Sequence, residues 1–165
     1  MDSNTTLDQG QLLPFSEYPQ QGRARLGIVT GANCRHEYGL RFQQRTGQYR
    51  CAYCGHNLVE EYKDWLTMAL DHVVPDSVCK AWNIPYEWKE DYSNRVLCCT
   101  ACNTFGNRYA PKNYPCPTTL DAFYDIRDRI FLERKAIIEE KHQAEEAFFK
   151  RQLWKRRGEL TSIDY

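Results

Sequence analysis

The stretch NRVLCCTACN, residues 94–103, decides the fold. A short apolar run ends on a Cys-x-x-Cys pair, Cys99 and Cys102, and passes straight into residues of helical pattern. This predicts a strand, a sulfur-bearing turn and a helix that must stop near Pro111, because a residue before proline is pushed out of the helical region. Upstream, CAYCG at residues 51–55 holds a second pair, Cys51 and Cys54. Two short-spaced pairs joined by a long loop match a closed tetrahedral zinc site, each turn directing two sulfurs at one ion. Cys98 stands one residue too far from Cys102 for this spacing and is expected to face the other side of its strand as a small core residue. Cys34, Cys79 and Cys116 have no short-spaced partner. Cys34 with His36 forms a weak half-site, against which a lone cysteine and a surface histidine are the better reading.

The 165 residues allow one domain with a modest core and an appended arm. Lys and Arg total 22, as do Asp and Glu, so no global positive field marks a polyanionic partner and local patterns must carry that argument. No apolar stretch reaches the length of a membrane span. The opening MDSNTTLDQG has neither the basic nor the apolar region of a secretory signal, which gives a cytoplasmic protein without membrane contact as the expectation. In that compartment eight cysteines favour metal over stable disulfides.

Outward from the cysteine pairs, three segments are expected: a flexible lead-in over residues 1–24, a zinc-stabilised domain over 25–112, and a long amphipathic helix over 118–157. ARLGIVTG, residues 24–31, reads as a short strand, and GLRFQQRTGQYRCAYCG, residues 39–55, as strand, Thr-Gly turn and strand. WLTMALDHVVP reads as a strand and a turn. The polar, aromatic connection after it carries Trp82, Tyr86 and Trp88, expected to cover the core. Thr118 with Asp121 makes a capping-box-like start for the last helix, with Leu120, Phe123, Ile126, Ile130, Ile137, Ile138, Ala144 and Phe148 at mostly helical spacing. So small a domain cannot pack such a helix along its whole length, so it should project, to pair with a second copy or to lie along DNA. Pairing is favoured, because the apolar stripe runs past the middle while the basic residues gather in KRQLWKRR at the end.

Between the cysteine pairs lies LDHVVP, residues 70–75. Neighbours on a strand point opposite ways, so Asp71 and His72 cannot both enter an apolar core without polar partners. Asn94, Asn103 and Asn107 fall nearby in the pattern, the last two on one helix face at a spacing of four. Helical amide oxygens opposite an Asp at a strand end can share a hard divalent cation, and a His beside them can meet a water aimed at a phosphate. Arg41, Arg45 and Arg50, interleaved with Tyr38, Phe42 and Tyr49, suit phosphate contact and base stacking, although a solvated hairpin looks much the same.

Together CAYCG, LDHVVP and NRVLCCTACN resemble the HNH endonuclease family, in the branch whose ββα metal motif is clamped by a four-cysteine zinc knuckle. The likeness spans roughly residues 48–110. It implies an α+β fold with a ββα metal core, structural zinc on Cys51, Cys54, Cys99 and Cys102, and Mg2+ or Mn2+ held by Asp71 and Asn103. It further implies His72 as general base and Asn94 as the central Asn bracing the loop that holds it. Asn107 stands where the family often has a His ligand, and a neutral oxygen there binds more weakly. Gly106 replaces an expected Lys, leaving Arg108 or Lys112 to supply the positive charge. The implied activity is hydrolysis of phosphodiester bonds in double-stranded DNA, as nicks or, in a homodimer joined through the last helix, as double-strand breaks. Two other readings stand beside it: a zinc-dependent nucleic-acid-binding module that does not cut, and an oligomeric structural protein built on the long helix.

Overall fold

The computed structural model describes residues 13–18, 35–36, 38–111 and 113–151. At its centre β1, Met68–His72, pairs antiparallel with β2, Arg95–Cys99, with Met68 opposite Cys99 and His72 opposite Arg95. All of β2 is buried. β1 buries only Met68 and Ala69, so its polar end, Asp71 and His72, comes out half-covered at the rim. Two strands alone do not make a stable sheet. Three neighbours complete this one. The turn carrying Cys51 is stapled to β2 by Ala52 N–H donating to the Leu97 carbonyl at 2.9 Å. Helix α5, Thr100–Gly106, leaves β2 without a loop and packs on both strands. The long helix α6, Leu120–Lys150, lies across α5. The architecture is α+β: a two-stranded antiparallel sheet packed against helices in the order ββα, a four-cysteine cluster and a long C-terminal helix.

Four expectations are corrected. Residues 38–46 form a helix, α1, Tyr38–Thr46, in place of a strand. The Thr-Gly pair that reads as a hairpin turn is the helix end: Gly47 takes φ +72° and its N–H returns to the Gln43 carbonyl at 2.8 Å. A glycine closing a helix and a glycine in a hairpin need the same left-handed backbone, so the residue alone does not separate them. Fully buried Phe42 chooses the helix, its ring edge-on to Tyr18 at 5.6 Å.

Within the segment expected to be flexible, the described residues Leu13, Phe15 and Tyr18 pack on the core, and the Tyr18 hydroxyl donates to the Arg95 carbonyl at 2.7 Å. After α2, Tyr62–Leu66, and β1, the supposed loop holds two short helices, α3, Asp76–Ala81, and α4, Tyr86–Lys89, each opened by a proline. Trp82 and Trp88 pack against the core there, while Tyr86 is exposed. Finally, α6 is capped by Thr119 rather than Thr118, its hydroxyl accepting from Ala122 N–H at 3.2 Å.

The inner face of α6 buries Phe123, Ile126, Arg127, Ile130, Phe131, Arg134 and Ile138. Past Ile138 the helix is exposed to its end at every position but His142, which is half-buried. Among the described residues no helix is long and apolar enough to cross a membrane. The ARLGIVTG segment, Cys34, Lys112 and the helix expected over 152–157 lie outside the described residues.

Candidate metal centre and strand-end site

The sulfurs of Cys51, Cys54, Cys99 and Cys102 all lie within 4.8 Å of one another. Adjacent sulfurs on a tetrahedral zinc stand about 3.8 Å apart when each Zn–S bond is near 2.3 Å, and Cys54 and Cys99 are 3.9 Å apart. The residues fit the ion in number, chemistry and spacing. One pair sits on a tight turn, where Gly55 at φ +76° donates to the Cys51 carbonyl, and the other joins β2 to α5. Sulfur contacts, first with Cys102, draw the Cys54 thiol down to about 7, and the same cause lowers Cys99 further. The same mutual contacts leave Cys51 and Cys102 raised, so the sulfurs share protons that a bound ion would displace. Cys98 is buried on β2 outside this cluster, its thiol 3.7 Å from the Ala69 carbonyl.

At the far end of β1 the alternation of the strand sends Asp71 and His72 to different partners. Oδ2 of Asp71 accepts the Tyr53 hydroxyl and the Arg134 guanidinium, each at 2.7 Å. Burial, then the nearby Asp71 carboxylate, pushes the Tyr53 phenol well above its ordinary range, so it remains a donor. Arg134 also donates to the carbonyls of His72 at 2.6 Å and Val73 at 2.9 Å. One buried guanidinium thus grips three consecutive residues.

His72 turns toward the end of α4. Its Nε2 lies 3.5 Å from Glu90 and has no hydrogen bond. Glu90 in turn pairs with Lys89 at 3.1 Å and with Arg95. Contact with His72, opposed by burial and helped by Arg95, holds the Glu90 carboxyl at about 2.

Asn94 is fully buried and brackets the backbone that leaves β1. Its Oδ1 accepts from Val74 N–H at 3.0 Å, its Nδ2 donates to the Lys89 carbonyl at 3.1 Å and, at 3.4 Å, to that of Val74. Its own carbonyl takes Val73 N–H at 2.9 Å. Asn103 is half-buried on α5, whereas Asn107 is the exposed residue that ends it.

The described arginines read as a nucleic-acid face lie on α1, just before Cys51 and just after α5. Arg41 is exposed on α1, Arg45 stacks over Tyr92 at 4.9 Å, and Arg50 stacks over Tyr49 and donates to the Gly55 carbonyl at 3.1 Å. Arg108 is exposed beside a cavity of about 700 Å³ between α5 and α6.

Gly106 has a role that the sequence did not disclose. A Cβ there would stand 2.8 Å from Nη2 of Arg134 and 3.4 Å from Ile138, so the missing side chain lets α6 lie close enough for Arg134 to reach Asp71. Reading by motif also missed Tyr53, Glu90, Arg134 and His142. A signal existed for Arg134: at spacings of four, Ile126, Ile130, Arg134 and Ile138 place a charge inside an apolar stripe. Glu90 had none.

Both carboxylate oxygens matter for a hard cation. Oδ2 of Asp71 is taken, while Oδ1 accepts no hydrogen bond from the described residues, and neither does the Asn103 amide, on the helix packed against β1. Among the described residues the one cluster of three or more Cys, His, Asp or Glu ligand atoms able to hold an ion is that of the four cysteines. Any dication at Asp71 would stand beside the buried Arg134 guanidinium, which weakens its binding. Comparison with protein-family models, with curated proteins and with solved structures gives no match.

Proposed function

We propose that the chain is a zinc-stabilised, metal-dependent DNA endonuclease of the HNH type, with the end of β1 as its reaction site. The observation that carries this reading is the joint placement of Asp71 and His72 on a strand end whose backbone is fixed from two sides. Asn94 holds the residues that follow, Arg134 holds the carbonyls of His72 and Val73, and β2 runs from there into the cysteine cluster. So much polar construction around one acid and one imidazole is expected of a site rather than of scaffolding.

In this reading His72 is the base. Its Nε2 lies 3.5 Å from Glu90, and the imidazole accepts a proton from the attacking water. Glu90 stays ionised beside it. Asp71 and Asn103 would hold a divalent ion, which would supply charge neutralisation at the phosphate and leaving oxygen. The products are a 5′ phosphate and a 3′ hydroxyl. Arg108, Lys112, Arg41, Arg45 and Arg50 are the proposed contacts to the duplex backbone. A second copy, joined through the distal part of α6, provides the second nick of a double-strand break in a cytoplasmic setting.

The test is conversion of supercoiled plasmid to the nicked form with Mg2+ or Mn2+, by wild type and by His72→Ala. Loss of the base lowers the rate by roughly 100-fold or more, with zinc content unchanged. Equal nicking by both proteins removes His72 from the chemistry.

A second reading rests on one observation, the ion pair that already occupies Asp71. If Arg134 is the permanent cation there, the chain is a zinc-stabilised nucleic-acid-binding module. DNA binding with no nicking under any divalent ion would favour it.

A further inference from the structure

We infer that His142 is the fifth functional residue of the zinc knuckle, donating its Nε2–H to the Cys102 thiolate and so fastening α6 to the loaded metal site. Nε2 of His142 lies 3.0 Å from Sγ of Cys102. The mutually close set of ligand atoms comprises the four sulfurs and leaves His142 out, so the imidazole is a donor to one ligand and not a ligand itself. This inference rests on zinc in the knuckle and is independent of the nuclease chemistry.

Electrostatics supplies the reason for such a donor. Four thiolates around Zn2+ carry a net charge of about −2, and Cys51, Cys99 and Cys102 are buried. Hydrogen bonds to the sulfurs spread that charge and hold the ligands in place. Cys99 receives one from Cys102 N–H at 3.5 Å. Cys102 is fully buried and takes His142. A metal-bound thiolate only accepts, so the contact fixes the imidazole proton on Nε2.

The ring is held for the task. Phe105 lies edge-on to it at 5.0 Å, and the preceding Lys141 donates to the Phe105 carbonyl at 2.5 Å. His142 is also the one residue of 139–150 that is not exposed, so its contact anchors this part of α6 to the domain. Two turns back, Arg134 grips Asp71. One helix therefore touches both the knuckle and the strand end.

The experiment compares zinc release to a metallochromic chelator from the full chain, from His142→Phe, which keeps a ring against Phe105 without the donor, and from His142→Gln, which keeps an N–H. Loss of an outer partner typically weakens metal binding by about 10- to 100-fold, and that increase in release is expected for the Phe variant, with substantial recovery in the Gln variant. Wild-type release from His142→Phe would overturn the inference, reducing the contact to packing, as would equal losses in both variants. Imidazole 15N spectra of the zinc-loaded wild type give a readout that no variant's folding can confuse: a protonated Nε2 supports the inference, and a bare Nε2 overturns it. A chain that takes up no stoichiometric zinc fails the knuckle itself, and this inference with it.

Discussion

The Arg134 guanidinium lies 2.7 Å from Oδ2 of Asp71, a contact between the long C-terminal helix and the end of β1. The arginine is 2 % exposed and its partner's side chain 11 %. Removing one member of a buried pair strands the other, so Arg134→Met should lower stability by ~3–5 kcal/mol. The double variant Asp71→Asn with Arg134→Met should lose less than the sum of the two single changes, read by urea denaturation as a double-mutant cycle. Simple additivity would show that the pair is not a coupled unit.

Gly106→Ala tests the same contact from the opposite side. Alanine is the better helix former by about 1 kcal/mol, so a free position would gain stability. Here the new methyl meets Arg134 at 2.8 Å, and that side chain is pinned by Asp71 and two carbonyls. Overpacking of this kind costs ~1–3 kcal/mol. A more stable Gly106→Ala protein would mean that α6 shifts freely over α5.

Asn94→Ala leaves buried groups of Val74 and Lys89 without partners. The expected loss is ~2–4 kcal/mol by denaturation, with a fall in any nicking rate because the backbone after His72 is released. Asn94→Asp keeps the acceptor but sets a buried carboxylate oxygen against the Val74 and Lys89 carbonyls, and should not recover wild-type stability. If the alanine variant matched wild type in stability, the bracket would not hold the strand end.

Glu90 makes the fold acid-sensitive in a defined window. Its folded value, about 2, lies below the unfolded value near 4.3. A carboxylate depressed on folding contributes stability that is fully present above the unfolded value and is lost as the pH falls toward the folded one. The wild type should therefore weaken between about pH 4.5 and 2, and Glu90→Gln should show a shallower slope there at the cost of lower stability at neutral pH. Parallel slopes in chemical denaturation across that window would rule Glu90 out as a contributor.

Self-association is expected to reside beyond the packed part of α6, where Phe148 and Phe149 are 45 % and 58 % exposed. A chain ending at Gln143 keeps Ile138, the last buried residue of the helix, together with His142. It should sediment as a folded monomer where the full chain is a dimer. Ending at Arg129 would instead remove Ile130, Phe131 and Arg134 from the core and unfold the domain. A monomeric full chain at micromolar concentration would leave the distal helix without this role.

The amino-acid sequence by itself determined the metal cluster, the two strands, the helix after Cys99 and the long final helix, because each follows from spacing or periodicity over a few residues. Two cysteines on a tight turn aim at one point whatever surrounds them, and β2 is apolar from Val96 to its end. What the tertiary structure alone decided lies where the local signal admits two answers. Gly47 suits a helix end or a hairpin, and buried Phe42 settled it. Asp71 looks the same before a metal ion or an arginine, and Arg134 reaches it only because Gly106 lets two helices close together. His142 meets Cys102 from forty residues along the chain, and Glu90 meets His72 from the far side of α3 and α4. Such meetings depend on helix lengths, crossing positions and the space between them, which are properties of the packed molecule and leave no pattern in a local stretch of residues.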